Sequence, residues 1–258
     1  MQKSIIAFSL IAFAGLMLLT GCQTATSPAA TSIPTVAAAT SLGLLCKDGL
    51  AIDNSIMGIF PSTLSVSGVK SAAVTDIAYG SDGWWSATNS WSTVEGGVTY
   101  SYDYSYKFRV WNSAGTEIVT PASLDALTET NISKLKMAVT YAYGSGGTTS
   151  TYKFGLSTSD PMIIDGYGST SKTITGPISY TGKYTTESYE VTITYNGMTM
   201  NTSGYPSGTV NWEMKTNGAT VYAGTITYDG TRYATCTFTT GGSGSYTVDL
   251  DTGLATSI

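Results

Sequence analysis

The stretch VTYSYDYSYKFRV, residues 98–110, alternates apolar and polar side chains for thirteen positions without a break. A β-strand sends successive side chains to opposite faces. Val98, Tyr100, Tyr102, Tyr104, Tyr106, Phe108 and Val110 therefore share one face, and Thr99, Ser101, Asp103, Ser105, Lys107 and Arg109 share the other. Wound as a helix, the same residues would scatter around the axis. The pattern requires a long, half-buried antiparallel strand, about 40 Å at about 3.4 Å per residue, with its tyrosines packed into a sheet core.

The alternation recurs along the chain. Leu135, Met137, Val139, Tyr141 and Tyr143 form one apolar set, Tyr152, Phe154 and Leu156 the next, then Tyr189, Val191, Ile193 and Tyr195, then Val210, Trp212 and Met214. No window keeps a 3.6-residue period; a short helix is expected only at Thr120-Pro121 and through ASLDAL. The fold class that follows is all-β: an antiparallel meander of about ten strands forming a sandwich or a strongly curved sheet.

Turn chemistry sets a register, because apolar residues must face apolar residues. A two-residue Asn196-Gly197 turn pairs Tyr195 with Met198 and Ile193 with Met200. A loop at Asn217-Gly218-Ala219 pairs Met214 with Tyr222, Trp212 with Gly224 and Val210 with Ile226. Loop Asp229-Gly230-Thr231 sets Ile226 opposite Ala234 and Gly224 opposite Cys236, and a loop at 241–243 sets Cys236 opposite Val248. Residues 186–251 thus read as consecutive hairpins with Cys236 on the buried face, backed by a face rich in threonine.

The first residues read as an address. Lys3 precedes the apolar run Ile5 to Leu19, too short at about 15 residues for a spanning helix, which needs roughly 20. The run ends in Leu19-Thr20-Gly21-Cys22, which resembles the lipobox of bacterial lipoproteins. The resemblance covers residues 1–22. It implies cleavage before Cys22, diacylglyceryl transfer to its sulfur and acylation of the new amine, and with Gln23 next it implies the outer membrane in a cell that has two. The alternative, a secretory leader cut within TATSPAATS, also exports the chain. Two or more acyl chains hold a protein on a bilayer where one does not. The expected organisation is a signal peptide at 1–21, a lipidated cysteine and uncharged Ala/Thr/Ser/Pro tether at 22–45, and a single all-β domain at 46–258. The expected partner is the membrane, reached through the lipid on Cys22.

Charge and residue choice then exclude chemistries. The net charge is −5 and no run of the sequence clusters Lys and Arg, which speaks against nucleic acid and against electrostatic attachment to anionic lipid. The chain contains 0 histidines, so Ser-His-Asp and Cys-His nucleophile systems and His-bound zinc are out. No cofactor is expected. DLDTG (249–253) and SDG (81–83) supply oxygens of the kind calcium takes, but without ligand spacing they read as solvated turns. With Cys22 consumed, Cys46 and Cys236 remain, and in an oxidising compartment they could form a disulfide or stay as two buried thiols.

One segment invites a ligand. GWWSATNSW places Trp84, Trp85 and Trp91 within nine residues. Adjacent tryptophans on a strand face opposite ways, so at least one of Trp84 and Trp85 leaves the main core. An exposed indole would stack on a sugar ring or an apolar molecule; a covered one would be packing. The functional expectation is a non-catalytic binding or structural module of the cell envelope, taking a glycan or an apolar small molecule if it has a ligand. The alternatives are a carboxylate-dependent envelope hydrolase and a subunit of an envelope assembly.

Overall fold

The structure, a computed structural model, describes residues 75–258 apart from 185 and 201–203. Cys22 and Cys46, with the leader and tether, lie outside the described residues. The strands are β1 (Thr75–Tyr79), β2 (Trp85–Glu95), β3 (Val98–Asn112), β4 (Ile132–Ser145), β5 (Thr148–Phe154), β6 (Met162–Asp165), β7 (Lys172–Tyr184), β8 (Glu187–Met200), β9 (Pro206–Thr216), β10 (Ala219–Asp229), β11 (Tyr233–Thr240), β12 (Ser245–Asp249) and β13 (Ala255–Ser257).

All thirteen belong to one antiparallel sheet whose order follows the chain, except that β6 stands off the path and pairs with β4 and β7. The architecture is the meander that the alternation demands, drawn as a single sheet. Among the described residues no pairing joins β1 to β13. Among the described residues the one α-helix, α1 (Pro121–Asp125), lies in the β3–β4 connection and starts where expected: Thr120 caps it by accepting a hydrogen bond from the Ser123 amide, with proline in the first turn.

The inner face carries one continuous apolar cluster running from Trp85 to Ala255. Val110, Leu135, Met137 and Cys236 are each 0% exposed. A single layer seals a face that completely only when something folds over it. Part of the cover is the β3–β4 connection, which contributes Ile118 and Leu124 to the core and takes the Trp85 indole N–H on the Ile118 carbonyl at 2.8 Å.

Three register expectations are corrected. Asn196-Gly197 is no hairpin: β8 runs straight through it to Met200. Tyr195 and Met198 are both buried although three residues apart, so the strand must carry one extra residue to return Met198 to the inner face. The register shifts there against both neighbours, Gly197 takes φ 75°, and Met198 pairs with Ile174 instead of Tyr195. The β10–β11 and β11–β12 pairings are each displaced by two residues from expectation, placing Ile226 opposite Cys236 and Cys236 opposite Tyr246. A two-residue shift leaves every side chain on its face, which is why the burial pattern cannot distinguish the two registers. Asp229 closes the β10–β11 turn by accepting from the Thr231 amide at 2.9 Å and hydroxyl at 2.6 Å. The β9–β10 register is as expected, with Met214, Trp212 and Val210 opposite Tyr222, Gly224 and Ile226. Leu156 is not a strand residue; it follows β5 and is 39% exposed.

Cys236 stands as a free, buried thiol, and burial pushes its pKa up to about 12. The expected bridge to Cys46 is therefore not among the contacts of the structure. The thiol fills the inner face, with Ile226 and Tyr246 as its register partners on the flanking strands.

Candidate functional site

The tyrosine strand does two different things along its length. From Tyr106 to Val110 its inner face is sealed, but Tyr100, Tyr102 and Tyr104 are only half-buried. On the paired strand Val139 is buried, whereas Tyr141 and Tyr143 are half-buried. Both strands outrun the sealed core toward their hairpin ends. There the chain turns through Gly96-Gly97 and Gly146-Gly147, with φ of 59°, 80°, 57° and 83°, the positive values that two-residue hairpin turns need.

Register converts this overhang into a paved surface. Tyr104, Tyr141, Tyr152 and Tyr180 occupy one cross-strand row over β3, β4, β5 and β7, and Tyr102 and Tyr143 pair in the next row out. The rings form an unbroken chain of contacts. Their centroids lie 6.4 Å apart for Tyr100–Tyr143, 5.0 Å for Tyr102–Tyr143, 6.4 Å for Tyr102–Tyr141, 6.2 Å for Tyr141–Tyr152 and 4.8 Å for Tyr152–Tyr180. Tilted and edge contacts at these spacings are the favourable aromatic geometries.

The phenols are held in the neutral form. Burial, then repulsion from Tyr106 and a hydrogen bond to it, raises Tyr104 well above the ordinary phenol range. Burial raises Tyr106 to about 12 and Tyr141 to about 12. Tyr152 is raised chiefly by burial as well. Near the centre of the field, the Tyr141 hydroxyl is enclosed and has no hydrogen-bond partner. A buried hydroxyl without a partner costs roughly 1–3 kcal/mol, so such a group calls for an explanation. Tyr102, at the outer margin, has its pKa raised by slight burial and by the neighbouring Tyr143 and Glu95.

The tryptophan segment is arranged differently. Trp85 is 1% exposed in the core, against Tyr79 at 5.1 Å and Phe108 at 6.2 Å. Trp84 stands outside the core cluster but is also covered, at 7% exposure, with the Arg109 guanidinium 5.9 Å from its ring. One of the adjacent pair does leave the core, yet neither presents an open plane. Trp91 pairs with Tyr102 in register, which puts its backbone beside the tyrosine field; its side chain lies outside the described residues.

Several carboxylates in the described part are engaged with cations. Arg232 binds Asp249 at 2.5 Å and Asp251 at 3.2 Å, which occupies the two aspartates of DLDTG. Arg109 makes a two-pronged bond to Glu117 at 2.6 and 2.5 Å. Asp82, Glu213, Asp229 and Asp249 all have lowered pKa values, each chiefly through a side-chain hydrogen bond. Among the described residues no group of three or more Cys, Asp or Glu is placed to hold a metal ion.

No protein-family model, curated protein or solved structure matches this chain.

Proposed function

We propose that this chain is a non-catalytic binding module of the bacterial cell envelope, anchored through lipid on Cys22, in the outer membrane of a cell that has two, and that its tyrosine field takes an uncharged glycan. The observation that carries this reading is the run of contacting, half-buried tyrosine rings from Tyr100 to Tyr152. Aromatic planes receive the C–H faces of sugars, and phenol hydroxyls at their edges exchange hydrogen bonds with sugar hydroxyls. Leucine or phenylalanine would serve an apolar ligand equally well without burying hydroxyls. The charged neighbour felt at the margin is Glu95, which disfavours an anionic sugar.

The hydrolase alternative draws less support. A general acid needs a carboxyl pKa raised toward neutrality, and the shifted carboxylates here move downward.

Affinity electrophoresis of the full chain through gels containing hydroxyethyl cellulose, with an apolar dye (anilinonaphthalene sulfonate) titrated in parallel, tests the ligand. Retardation by the polysaccharide, lost in Tyr102→Ala/Tyr143→Ala with unchanged circular dichroism, is expected. Dye binding at the same residues without retardation would replace the glycan by an apolar ligand. The anchor is tested separately: palmitate should label the chain, and Cys22→Ser should abolish both labelling and membrane retention.

A further inference from the structure

The outer face of the same strands carries a second, oppositely placed surface. Lys and Arg are spread through the sequence, but strand pairing gathers them. Arg109 stands directly opposite Lys136, and Trp111 opposite Lys134. Lys107 lies on β3 and Lys153 on β5 with the same outward parity. Five of the nine Lys and Arg residues between 75 and 258 thus share one face of three adjacent strands, in a chain of net charge −5.

Like charges directly opposed across strands are unfavourable; Asp103 stands exposed on the same face of β3, and ion pairs neutralise a further part of the basic charge. Lys107 binds Asp82 at 2.6 Å, Arg109 binds Glu117 at 2.5 Å and Lys134 binds Asp165 at 2.9 Å. Lys136 and Lys153 have no carboxylate partner among the described residues. Lys136 instead lies 5.7 Å from the Trp111 ring, which Arg109 approaches from 5.4 Å. A positive surplus around a half-buried tryptophan on an otherwise acidic protein complements an anionic, interfacial surface.

We propose that the outer face of β3, β4 and β5 docks on anionic lipid headgroups, with Lys136 and Lys153 supplying the charge and Trp111 the interfacial ring. This rests on the anchoring reading, because the tether makes docking intramolecular and a weak contact then suffices. Since the tyrosine field occupies the opposite face of these strands, docking would turn it away from the bilayer.

The test uses the lipidated chain bound to vesicles of phosphatidylcholine, with or without phosphatidylglycerol, and measures amine-labelling rates by mass spectrometry. On anionic vesicles Lys136 and Lys153 should label more slowly than on neutral ones. Lys215 on β9 should not change, and high salt should erase the difference. In Lys136→Gln/Lys153→Gln the docked-to-undocked ratio should fall about 25-fold, from about 1 kcal/mol per basic residue at 1.4 kcal/mol per tenfold. Labelling at Lys107 and Lys134 would then return toward its neutral-vesicle rate. Flotation is scored first. A chain that does not float refutes the anchor and the docking with it, whereas a floating chain labelled equally on both vesicle types refutes the docking alone.

Discussion

Replacing Tyr141 by phenylalanine should make the protein more stable, against the usual direction for truncating a buried polar group. The hydroxyl is enclosed and unpaired, so the native state bears its desolvation without the return of a hydrogen bond, a cost of roughly 1–3 kcal/mol. Because the side chain as a whole is only half-buried, the lower end applies. The ring contacts with Tyr102, Tyr104 and Tyr152 survive the substitution. The expected gain is about 1 kcal/mol, which for a domain of this size raises the melting midpoint by about 2–4 °C. Tyr104→Phe is the control. Its hydroxyl hydrogen-bonds Tyr106, so its loss should destabilise by about 0.5–1.5 kcal/mol. Urea titrations of the three proteins, with equal m-values as the check on comparability, decide the matter. A Tyr141→Phe protein less stable than the parent by more than about 0.5 kcal/mol would show that this hydroxyl is paired in solution and would remove the orphan-group argument.

Other consequences follow from burial. Trp85→Ala should cost about 3–5 kcal/mol, and Trp85→Phe about 1–2 kcal/mol for the lost bond to the Ile118 carbonyl; chemical denaturation separates the two, and a Trp85→Phe protein as stable as the parent would deny that hydrogen bond a role. Cys236 should resist thiol reagents in the folded protein and react fully on unfolding; fast labelling under native conditions would contradict its burial. The phenol of Tyr106 and the thiol of Cys236, both raised to about 12, bind protons more tightly folded than unfolded. Their contribution is complete below the unfolded values near 10 and 9 and is lost as pH rises toward 12. For Tyr106 this amounts to about 3 kcal/mol over two pH units. Stability measured from pH 8 to 12 should fall across this window, together with late-titrating phenolate absorbance, and a flat profile would refute it.

Much of the fold was legible because strand alternation is a local property. Residues 98–110 distribute their faces as the alternation requires, and Thr120-Pro121 starts the helix where its capping chemistry puts it. Asn196-Gly197 misled because a hairpin and a bulge both need glycine at positive φ, and only the neighbouring strands reveal which one forms. The two-residue displacements at Cys236 were invisible for a related reason: burial encodes which face a residue takes, not which partner it meets.

The candidate site was less legible still. An alternating tyrosine strand reads as core throughout, whereas the half-buried stretch begins where β3 and β4 outrun the sealed layer, a limit set by their neighbours. The basic face was hidden too, since Arg109 and Lys136 meet only through the register. By itself the sequence determined an antiparallel meander and a chain without histidine chemistry, because side-chain parity and composition are written residue by residue. The tertiary structure alone decided where the sealed core stops and which distant side chains become neighbours, because burial and charge density are properties of a surface, and this surface exists only once the strands have paired.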